Sequence, residues 1–281
     1  MVGEPSRLWA SPEAVEAWRR GLARRRQALA AATDRLLDRA NLRPGSRVLD
    51  LAAGTGEQSL LAVQRVGPSG FVLATDISAS MLAVAEQSTR EAGVERTNLQ
   101  TRVMDAAAID LEPETFDAVV SRLGLMFVSD LAAALRGVLR MLVPGGRLSA
   151  MVWAGPERNP MLGLPDAIAD RLGWSVGPRQ TLRRALSLGD PTALEAAVRS
   201  AGFNDVRVEP VAAPRAFGSA AEATAYSRTD SPVWRDLVAS VPEAQAEQFW
   251  REVEQAFKRF EGPSGCVLPG EVLVASGAKP T

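Results

Sequence analysis

Residues 48–56 read VLDLAAGTG, and this stretch decides the fold class. An apolar run of strand length enters a turn that contains Gly54 and Gly56, and a helical pattern then continues to about Val66. Glycine lets the backbone approach a ligand closely, and the start of the following helix presents free N–H groups to polar ligand atoms. The stretch therefore predicts a strand–turn–helix unit that binds a nucleotide-like ligand.

Strand-like and helix-like segments alternate through the rest of the chain. We predict strands at 47–51, 71–75, 99–103, 116–121, 147–153, 206–211 and 271–276. Helical patterns lie between most of them, at 79–92, 131–142 and 191–201. Alternation at this spacing is typical of a mostly parallel sheet with helices on both faces, so the sequence indicates an α/β fold.

The composition of the remaining segments divides the chain into four regions. We predict an N-terminal helical cap at 1–43, a ligand-binding core at 44–154, an insertion or lid rich in Gly, Pro and Arg at 155–190, and a C-terminal part of the core at 191–281. The last region would carry a helical substrate cap at about 219–262, with breaks near Ser231–Pro232 and near Pro242. Helical structure is expected at 11–40, because Ser11 and Pro12 form a helix-start signal.

Three carboxylates mark the ends of the first three predicted strands. A dinucleotide-binding turn has a third Gly or Ala at the position that Ser59 occupies here, so the turn departs from that pattern. The Asp50 carboxylate would also repel a pyrophosphate, so Asp50 suits a cofactor with a cationic amino-acid moiety. Asp76, twenty residues after Gly56, could accept hydrogen bonds from both hydroxyls of a ribose. Asp105 could accept a hydrogen bond from the amine of an adenine.

Five segments, in their order and spacing, resemble those of class I S-adenosylmethionine (SAM)-dependent methyltransferases. They are DLAAGTG, ATDIS, MDA, FDAVVSRLGLMF and LVPGGRL, and the resemblance covers roughly residues 47–153. It is strongest to the branch of ubiquinone/menaquinone C-methyltransferases and their small-molecule relatives. The resemblance implies a Rossmann-like, mostly parallel seven-stranded sheet with helices on both faces, N-terminal helices and a helical lid. The first glycine of the family's turn is replaced by Ala52 in this chain.

The resemblance also implies a role for each matching residue. Asp50, Ala52, Gly54 and Gly56 would hold the methionine part of SAM, and Asp76 would bind its ribose. Ile77, Met81, Asp105 and Ala106 would meet the adenine, and Ser121 begins the segment that faces cofactor and substrate. The catalytic residue is not identified, and Arg122 and Tyr226 are candidates for it.

Composition limits the possible chemistry and partners. The chain has 281 residues, and its formal net charge of -1 gives no general electrostatic reason to bind nucleic acid. It has no histidine and a single cysteine, Cys266, so we expect no metal site and no His-assisted mechanism. No apolar run is long enough to span a bilayer, and the first residues do not resemble a signal peptide. We expect a cytoplasmic monomer or homodimer.

Clusters of arginines and aromatic residues leave alternatives open. The arginines are Arg19, Arg20, Arg24, Arg25 and Arg26, and they form either a solvated helix face or a site for an anionic group. The aromatic residues are Trp9, Trp18, Phe127, Trp153, Trp174 and Trp250, and they form either the wall of an apolar pocket or ordinary core. Cys266 is expected to be inert.

The expected function is transfer of a methyl group from SAM to a small molecule by direct in-line displacement. The acceptor atom is a carbon, nitrogen or oxygen, and a quinone-like or secondary-metabolite acceptor fits the resemblance. Two alternatives remain: a SAM-binding protein that transfers no methyl group, such as a cyclase, decarboxylase or regulatory protein, and an NAD(P)-dependent reductase. The sequence does not specify the acceptor, the base or the oligomeric state.

Overall fold

The strands of the protein form two sheets. The computed structural model describes residues 9, 11–174, 176–239 and 241–281. In chain order the strands are β1 Arg47–Leu51, β2 Phe71–Asp76, β3 Leu99–Val103, β4 Phe116–Arg122, β5 Leu142–Trp153, β6 Asn204–Ala212, β7 Arg215–Phe217, β8 Glu261–Gly262, β9 Gly265–Leu268 and β10 Glu271–Ala278. The main sheet has the order β3-β2-β1-β4-β5-β10-β6. Strand β10 pairs antiparallel with β5 and β6, and the other neighbours pair parallel, which confirms the expected seven-stranded, mostly parallel sheet.

Helices cover the sheet. In the described part of the chain they are α1 Pro12–Arg20, α2 Leu22–Arg39, α3 Glu57–Val66, α4 Ala79–Glu91, α5 Leu131–Met141, α6 Pro160–Arg171, α7 Val176–Ala185, α8 Pro191–Ser200, α9 Ala220–Asp230, α10 Pro232–Val238 and α11 Glu243–Phe257. Sequence-encoded caps start several of them: the Ser78 hydroxyl accepts the Met81 N–H at 3.2 Å, and the Asp130 carboxylate caps α5. Within the described ranges, no helix combines the length and apolar character that crossing a bilayer requires.

The order of the strands places a crevice at one edge of the main sheet. The chain runs outward from β1 through β2 to β3, then returns to β4 on the other side of β1. Both β2 and β4 pair parallel with β1, where Val48 lies opposite Val72 and Ala118. The three strands therefore end at the same edge of the sheet. Loops after β1 and β4 therefore diverge at the carboxyl edge, which is where open α/β sheets bind ligands.

The segment expected to be helical at 11–40 is helical and is divided at Gly21. The structure has two helices, α1 and α2, which meet at Gly21. A Cβ at Gly21 would lie 2.7 Å from Nη1 of Arg25 and 2.9 Å from the Tyr226 hydroxyl. Gly21 keeps a helical backbone, with φ of -74°, and its lack of a side chain lets α9 pack closely, a tertiary contact that helical spacing does not encode.

The sequence prediction also missed the short strands β7, β8 and β9. The second sheet, of order β7-β9-β8, consists of strands too short for a two-residue period to be detected. In addition, β5 begins at Leu142 rather than at Arg147, because Leu142 already pairs with Phe116. The register then shifts before Ala118 pairs with Arg147, so the segment 144–146, Pro-Gly-Gly, forms an irregularity inside the strand.

Helices α6, α7, α9, α10 and α11 form a layer beyond the carboxyl edge of the main sheet. Helix α9 packs against α11 and α1, α10 packs against α7, and α11 packs against α6. Trp234, Phe249 and Phe257 are fully buried in this layer. Its apolar residues belong to the same core as those of β4 and β5, so the layer is packed continuously onto the sheet.

Candidate active site

A cavity lies at the carboxyl edge of the sheet, between the loops after β1, β2 and β4 and the helical layer. Seven of the ten residues expected to hold the cofactor line it: Ala52, Gly54, Asp76, Ile77, Met81, Asp105 and Ala106. The other three, Asp50, Gly56 and Ser121, lie outside the lining. Both catalytic candidates, Arg122 and Tyr226, line the cavity.

Asp76 links the Gly-containing turn to the end of β2. Its Oδ2 accepts the Gly54 N–H at 2.9 Å, and its Oδ1 accepts the Ser78 N–H at 2.8 Å. Burial raises the pKa of the Asp76 carboxyl, although the backbone N–H groups that it accepts oppose the rise. The carboxylate is therefore fixed in orientation at the cavity wall, with acceptor capacity left for a ligand hydroxyl.

Asp50 lies beneath the turn and does not line the cavity. It is fully buried, the Gln58 Nε2 donates to its Oδ1 at 3.0 Å, and the Ser59 hydroxyl donates to its Oδ2. Burial raises the pKa of Asp50 to about 6 despite these two hydrogen bonds. Ser59, at the position where a dinucleotide turn has its third small residue, instead serves as a donor to this carboxylate.

The buried Asp50 makes the stability of the protein depend on pH. Its pKa rises from 3.8 to about 6 on folding, so between these values the folded protein holds a proton that the unfolded chain has lost. The contribution of Asp50 to stability therefore falls as pH rises, by about 3 kcal/mol in total. The difference in the free energy of unfolding between Asp50→Asn and the natural protein should shift by about 3 kcal/mol in favour of the variant as the pH rises from about 4 to about 7. Urea unfolding at both pH values measures this gain, and an equal difference at both would contradict it.

Gly54 and Gly56 have left-handed backbone conformations but different surroundings. Their φ values are 57° and 78°. A Cβ at Gly54 would meet nothing within 4 Å, because that position opens on the cavity, whereas a Cβ at Gly56 would lie 2.8 Å from the Cβ of Ala85 in α4. Gly54 therefore keeps space free for a ligand, and Gly56 lets two helices approach each other.

Alanine substitutions at these two glycines should have different effects, mainly on ligand binding at Gly54 and mainly on stability at Gly56. We expect Gly54→Ala to cost about 1 kcal/mol of stability from its φ alone and to weaken SAM binding roughly tenfold or more, because its Cβ enters the cavity. Gly56→Ala should cost about 2–4 kcal/mol, since backbone strain adds to the collision with Ala85. Calorimetric SAM titration and urea unfolding of both variants check the pair; equal effects of the two substitutions on stability would contradict it.

Ala52 replaces the first glycine of the family's turn and retains a glycine-like conformation. Its φ is 57°, and Leu123, after β4, has a φ of 60°. Non-glycine residues in this region are strained, and such residues concentrate at ligand sites. A Cβ at Gly124 would lie 2.4 Å from the Ala52 Cβ, so Gly124 provides the room that Ala52 requires.

The residues expected at the adenine surround one end of the cavity. Met81 and Ala106 are buried apolar walls, whereas Ile77 is 39% exposed. Oδ1 of Asp105 accepts the Ala107 N–H at 2.9 Å, which orients the carboxylate. Ser121 is fully buried behind the wall, and its hydroxyl has no hydrogen-bond partner among the described residues.

A buried ionic cluster of Arg25, Glu57 and Arg122 supports the cavity next to the turn. Glu57, the first residue of α3, lies 2.5 Å from Nη2 of Arg122 and 3.6 Å from Nη2 of Arg25. The three side chains are 5–7% exposed. Arg122 also donates to the Thr33 hydroxyl at 3.3 Å, and the Arg25 guanidinium stacks 3.5 Å from the Trp18 ring centroid. Two cations thus share one carboxylate at the cavity wall.

The arginine cluster expected on the N-terminal helix is divided between surface and interior. Arg25 is buried and lines the cavity, whereas Arg19 and Arg26 are exposed. Arg20 forms an ion pair with Asp230 at 3.0 Å, and Arg24 forms one with Glu222. Part of the cluster therefore ties the N-terminal helices to α9.

The far side of the cavity is apolar and aromatic. Its walls are Trp153, Met161, Leu162, Val233, Trp234 and Tyr226, with Arg215 among them. Trp9, Trp18 and Phe127 close the near side through edge-on ring contacts of 5.3 and 5.6 Å between centroids. Trp174 and Trp250 instead pack on Phe249, outside the cavity lining. Cys266 is buried, and burial raises the pKa of its thiol.

The sheet order, the glycine turn after β1 and the acidic residue at the end of β2 define a class I SAM-dependent methyltransferase. A family model described as a methyltransferase domain matches residues 48–146. The ubiquinone/menaquinone biosynthesis C-methyltransferase UbiE of Cronobacter sakazakii is 34% identical over 179 residues, which are 60% of this chain and 71% of that protein. The chain therefore belongs to the family of SAM-dependent methyltransferases of the ubiquinone/menaquinone type, and its cofactor is SAM.

Other similar proteins share part of the sequence or the fold. The UbiE enzyme of Pasteurella multocida is 39% identical over 125 residues, but the match spans 44% of this chain and 46% of that protein. The YcgJ protein of Bacillus subtilis has a TM-score of 0.62 at 17% identity and covers 90% of this chain and 99% of its own. The [4+2]-cyclase SpnF has a TM-score of 0.54 at 20% identity, covering 91% and 83%. The fold is thus shared with proteins of different activity.

Proposed function

We propose that the protein transfers a methyl group from SAM to a carbon atom of a small, largely apolar acceptor. The observation that carries this proposal is the continuity of the cavity. It extends from a polar wall at Gly54 and Asp76 to an apolar wall at Trp153, Met161 and Trp234. The polar wall suits a nucleoside-like molecule, and the apolar wall suits an apolar molecule bound next to it.

Residues of the polar wall fit SAM. The Asp76 carboxylate would accept from the ribose hydroxyls, the open position at Gly54 would receive the methionine part, and Ile77, Met81 and Asp105 would surround the adenine. Bound SAM supplies a methyl group on a sulfonium, which is a strong electrophile. The fit rests on the free space at Gly54 and on the fixed orientation of the Asp76 carboxylate.

The protein's own contribution is alignment and exclusion of water. The helical layer and the Trp9, Trp18 and Phe127 rings wall two sides of the cavity, so an acceptor there is held close to the polar wall. Alignment of this kind lowers a barrier by up to about 7–11 kcal/mol in ideal cases. The proton that the methylated carbon loses passes to water after the transfer, so no dedicated base is required. Arg122 is held by Glu57 and Thr33, which supports a positioning role, and the Tyr226 hydroxyl interacts with Arg25 of the same ionic cluster.

Two further features support a small-molecule carbon acceptor. The chain has no histidine to activate a hydroxyl for O-methylation. The segments 1–43, 155–190 and 219–262 would act as cap, lid and substrate cap, since their helices supply Trp18, Met161, Tyr226 and Trp234 to the walls. A walled cavity of this kind suits a metabolite better than a polymer chain.

Methyl transfer is tested with purified protein, methyl-labelled SAM and a metabolite extract, followed by mass spectrometry. Protein and nucleic-acid fractions run in parallel, Asp76→Ala serves as the inactive control, and Asp110→Asn, at an exposed side chain, serves as the active one. We expect the label in a small molecule, on carbon. Label in a macromolecule would overturn the acceptor class. SAM binding without any transfer would favour a non-transferring SAM protein.

A further inference from the structure

Arg215 is a half-buried arginine whose guanidinium lines the apolar side of the cavity. It begins β7, and its guanidinium carbon lies 4.7 Å from the centroid of the Trp153 ring. Its Nη1 lies 3.0 Å from the sulfur of Met161, a weak acceptor, and its buried Nε has no hydrogen-bond partner. Within the ranges that the structure describes, no carboxylate forms an ion pair with it.

The other arginines of the cavity differ in this respect. Arg25 and Arg122 share the carboxylate of Glu57, whereas no described carboxylate pairs with Arg215. Burial lowers the pKa of the Arg215 guanidinium. A buried charge without a partner is costly, and a protein retains one where a ligand supplies the opposite charge.

The position and shape of the Arg215 guanidinium suit an anionic ligand. Trp153 is the last residue of β5, next to β4, so the guanidinium stacked on it lies above the carboxyl edge where the cofactor site is. Stacking uses the face of the guanidinium, so a ligand meets its N–H edge. Within that edge Nη1 contacts Met161 and Nε is shielded from solvent, which leaves Nη2 as the nitrogen that a ligand reaches first. The planar N–H fork matches an oxyanion, and the surrounding Trp153, Met161 and Trp234 match a planar apolar body.

We propose that Arg215 is a specificity-determining residue that binds an oxyanion, a carboxylate or an ionised ring hydroxyl, on a planar apolar acceptor. This inference rests on the proposed function, because it assigns the acceptor to the apolar side of the cavity. An acceptor whose oxyanion pairs with the Arg215 guanidinium is fixed at that end. The aromatic walls then set its orientation toward the polar wall. Neutral analogues leave the guanidinium without its partner and bind more weakly.

The test uses two pairs of probes that differ in charge. The pairs are 1-naphthoate with 1-naphthamide, and 2-hydroxy-1,4-naphthoquinone, ionised at neutral pH, with its methyl ether. Binding to the protein loaded with S-adenosylhomocysteine is followed by calorimetry. In the natural protein we expect the anion of at least one pair to bind about tenfold more tightly or better. The pair that shows the preference tells whether a carboxylate or a ring oxyanion is recognised.

Variants separate this role from a structural one. Arg215→Met should abolish the preference, and Arg24→Met should retain it, because Arg24 stacks 4.7 Å over Phe217 of the same strand but does not line the cavity. Without ligand, Arg215→Met should melt at the natural temperature or about 2 °C higher, since an apolar side chain replaces an unpaired buried charge.

Four results would overturn the role of Arg215. They are no binding of any anion to the natural protein, equal binding of charged and neutral probes, an anion preference that persists in Arg215→Met, and a clear fall in the melting temperature of Arg215→Met. SAM titration of the same samples keeps the two proposals apart. Intact SAM binding and methyl transfer with no anion preference would refute the inference alone. Absence of SAM binding in the natural protein would refute the proposed function.

Discussion

Glu57→Gln is expected to lower the free energy of unfolding by about 3–5 kcal/mol, although it changes a single atom. Glu57 is the shared counter-charge of Arg25 and Arg122, and all three side chains are 5–7% exposed. The neutral amide leaves two buried guanidiniums without an anion. Each lost charge-assisted hydrogen bond adds to the cost, because water does not replace the carboxylate there. Urea unfolding at neutral pH measures the loss.

A matched control is Glu222→Gln, which neutralises the partner of Arg24 in an exposed pair. This substitution should have little effect on stability, because exposed ion pairs are screened by solvent. Combining Glu57→Gln with Arg25→Met should recover part of the loss, since one of the two unpaired charges is then removed. If Glu57→Gln is as stable as the control, the cluster does not hold the N-terminal helices to the sheet.

Asp76→Ala is expected to weaken SAM binding about a hundredfold or more. A ribose that donates two hydroxyls to this carboxylate loses two charge-assisted hydrogen bonds, each contributing about 1.5–3 kcal/mol. The substitution also frees the N–H groups of Gly54 and Ser78, which Asp76 holds at 2.9 and 2.8 Å. The turn that shapes the site thereby loses its support. Calorimetric titration with SAM gives the affinity directly.

A fall in affinity is informative only if the variant remains folded. Burial raises the pKa of Asp76, so its removal relieves an unfavourable buried charge and should not unfold the sheet. Asp76→Asn keeps the volume and one acceptor oxygen and should bind SAM with intermediate affinity. Asp110→Asn, on a side chain 95% exposed, should bind SAM as the natural protein does. A folded Asp76→Ala that binds within about tenfold of the natural protein would contradict the ribose role.

The main sheet could be predicted because its strands are encoded locally. In β1, four consecutive residues are buried, and such runs are typical of parallel strands covered on both faces. The caps at Ser78 and Asp130 are equally local signals. The break at Gly21 and the three-stranded sheet were missed because they depend on contacts with α9 and on strands of two to four residues.

The polar wall of the cavity was predictable to a similar degree, and the apolar wall was not. Asp76, Asp105 and Gly54 follow strands at fixed spacings, so sequence alone brings them to one edge. Glu57 was missed because an acidic residue in the first turn of a helix is ordinary. Arg215 was missed because a three-residue strand carries no recognisable pattern, and its burial depends on Trp153, 62 residues away in sequence.

The close contact between Ala52 and Gly124 restricts the order in which these positions can change during evolution. A methyl group introduced first at Gly124 would lie 2.4 Å from the Ala52 Cβ, so that intermediate protein would be destabilised. Replacing Ala52 by glycine first removes the obstacle and also relieves its φ of 57°. The two sites are therefore epistatic with a fixed direction. Descendants of this sequence with a larger residue at 124 should carry glycine at 52.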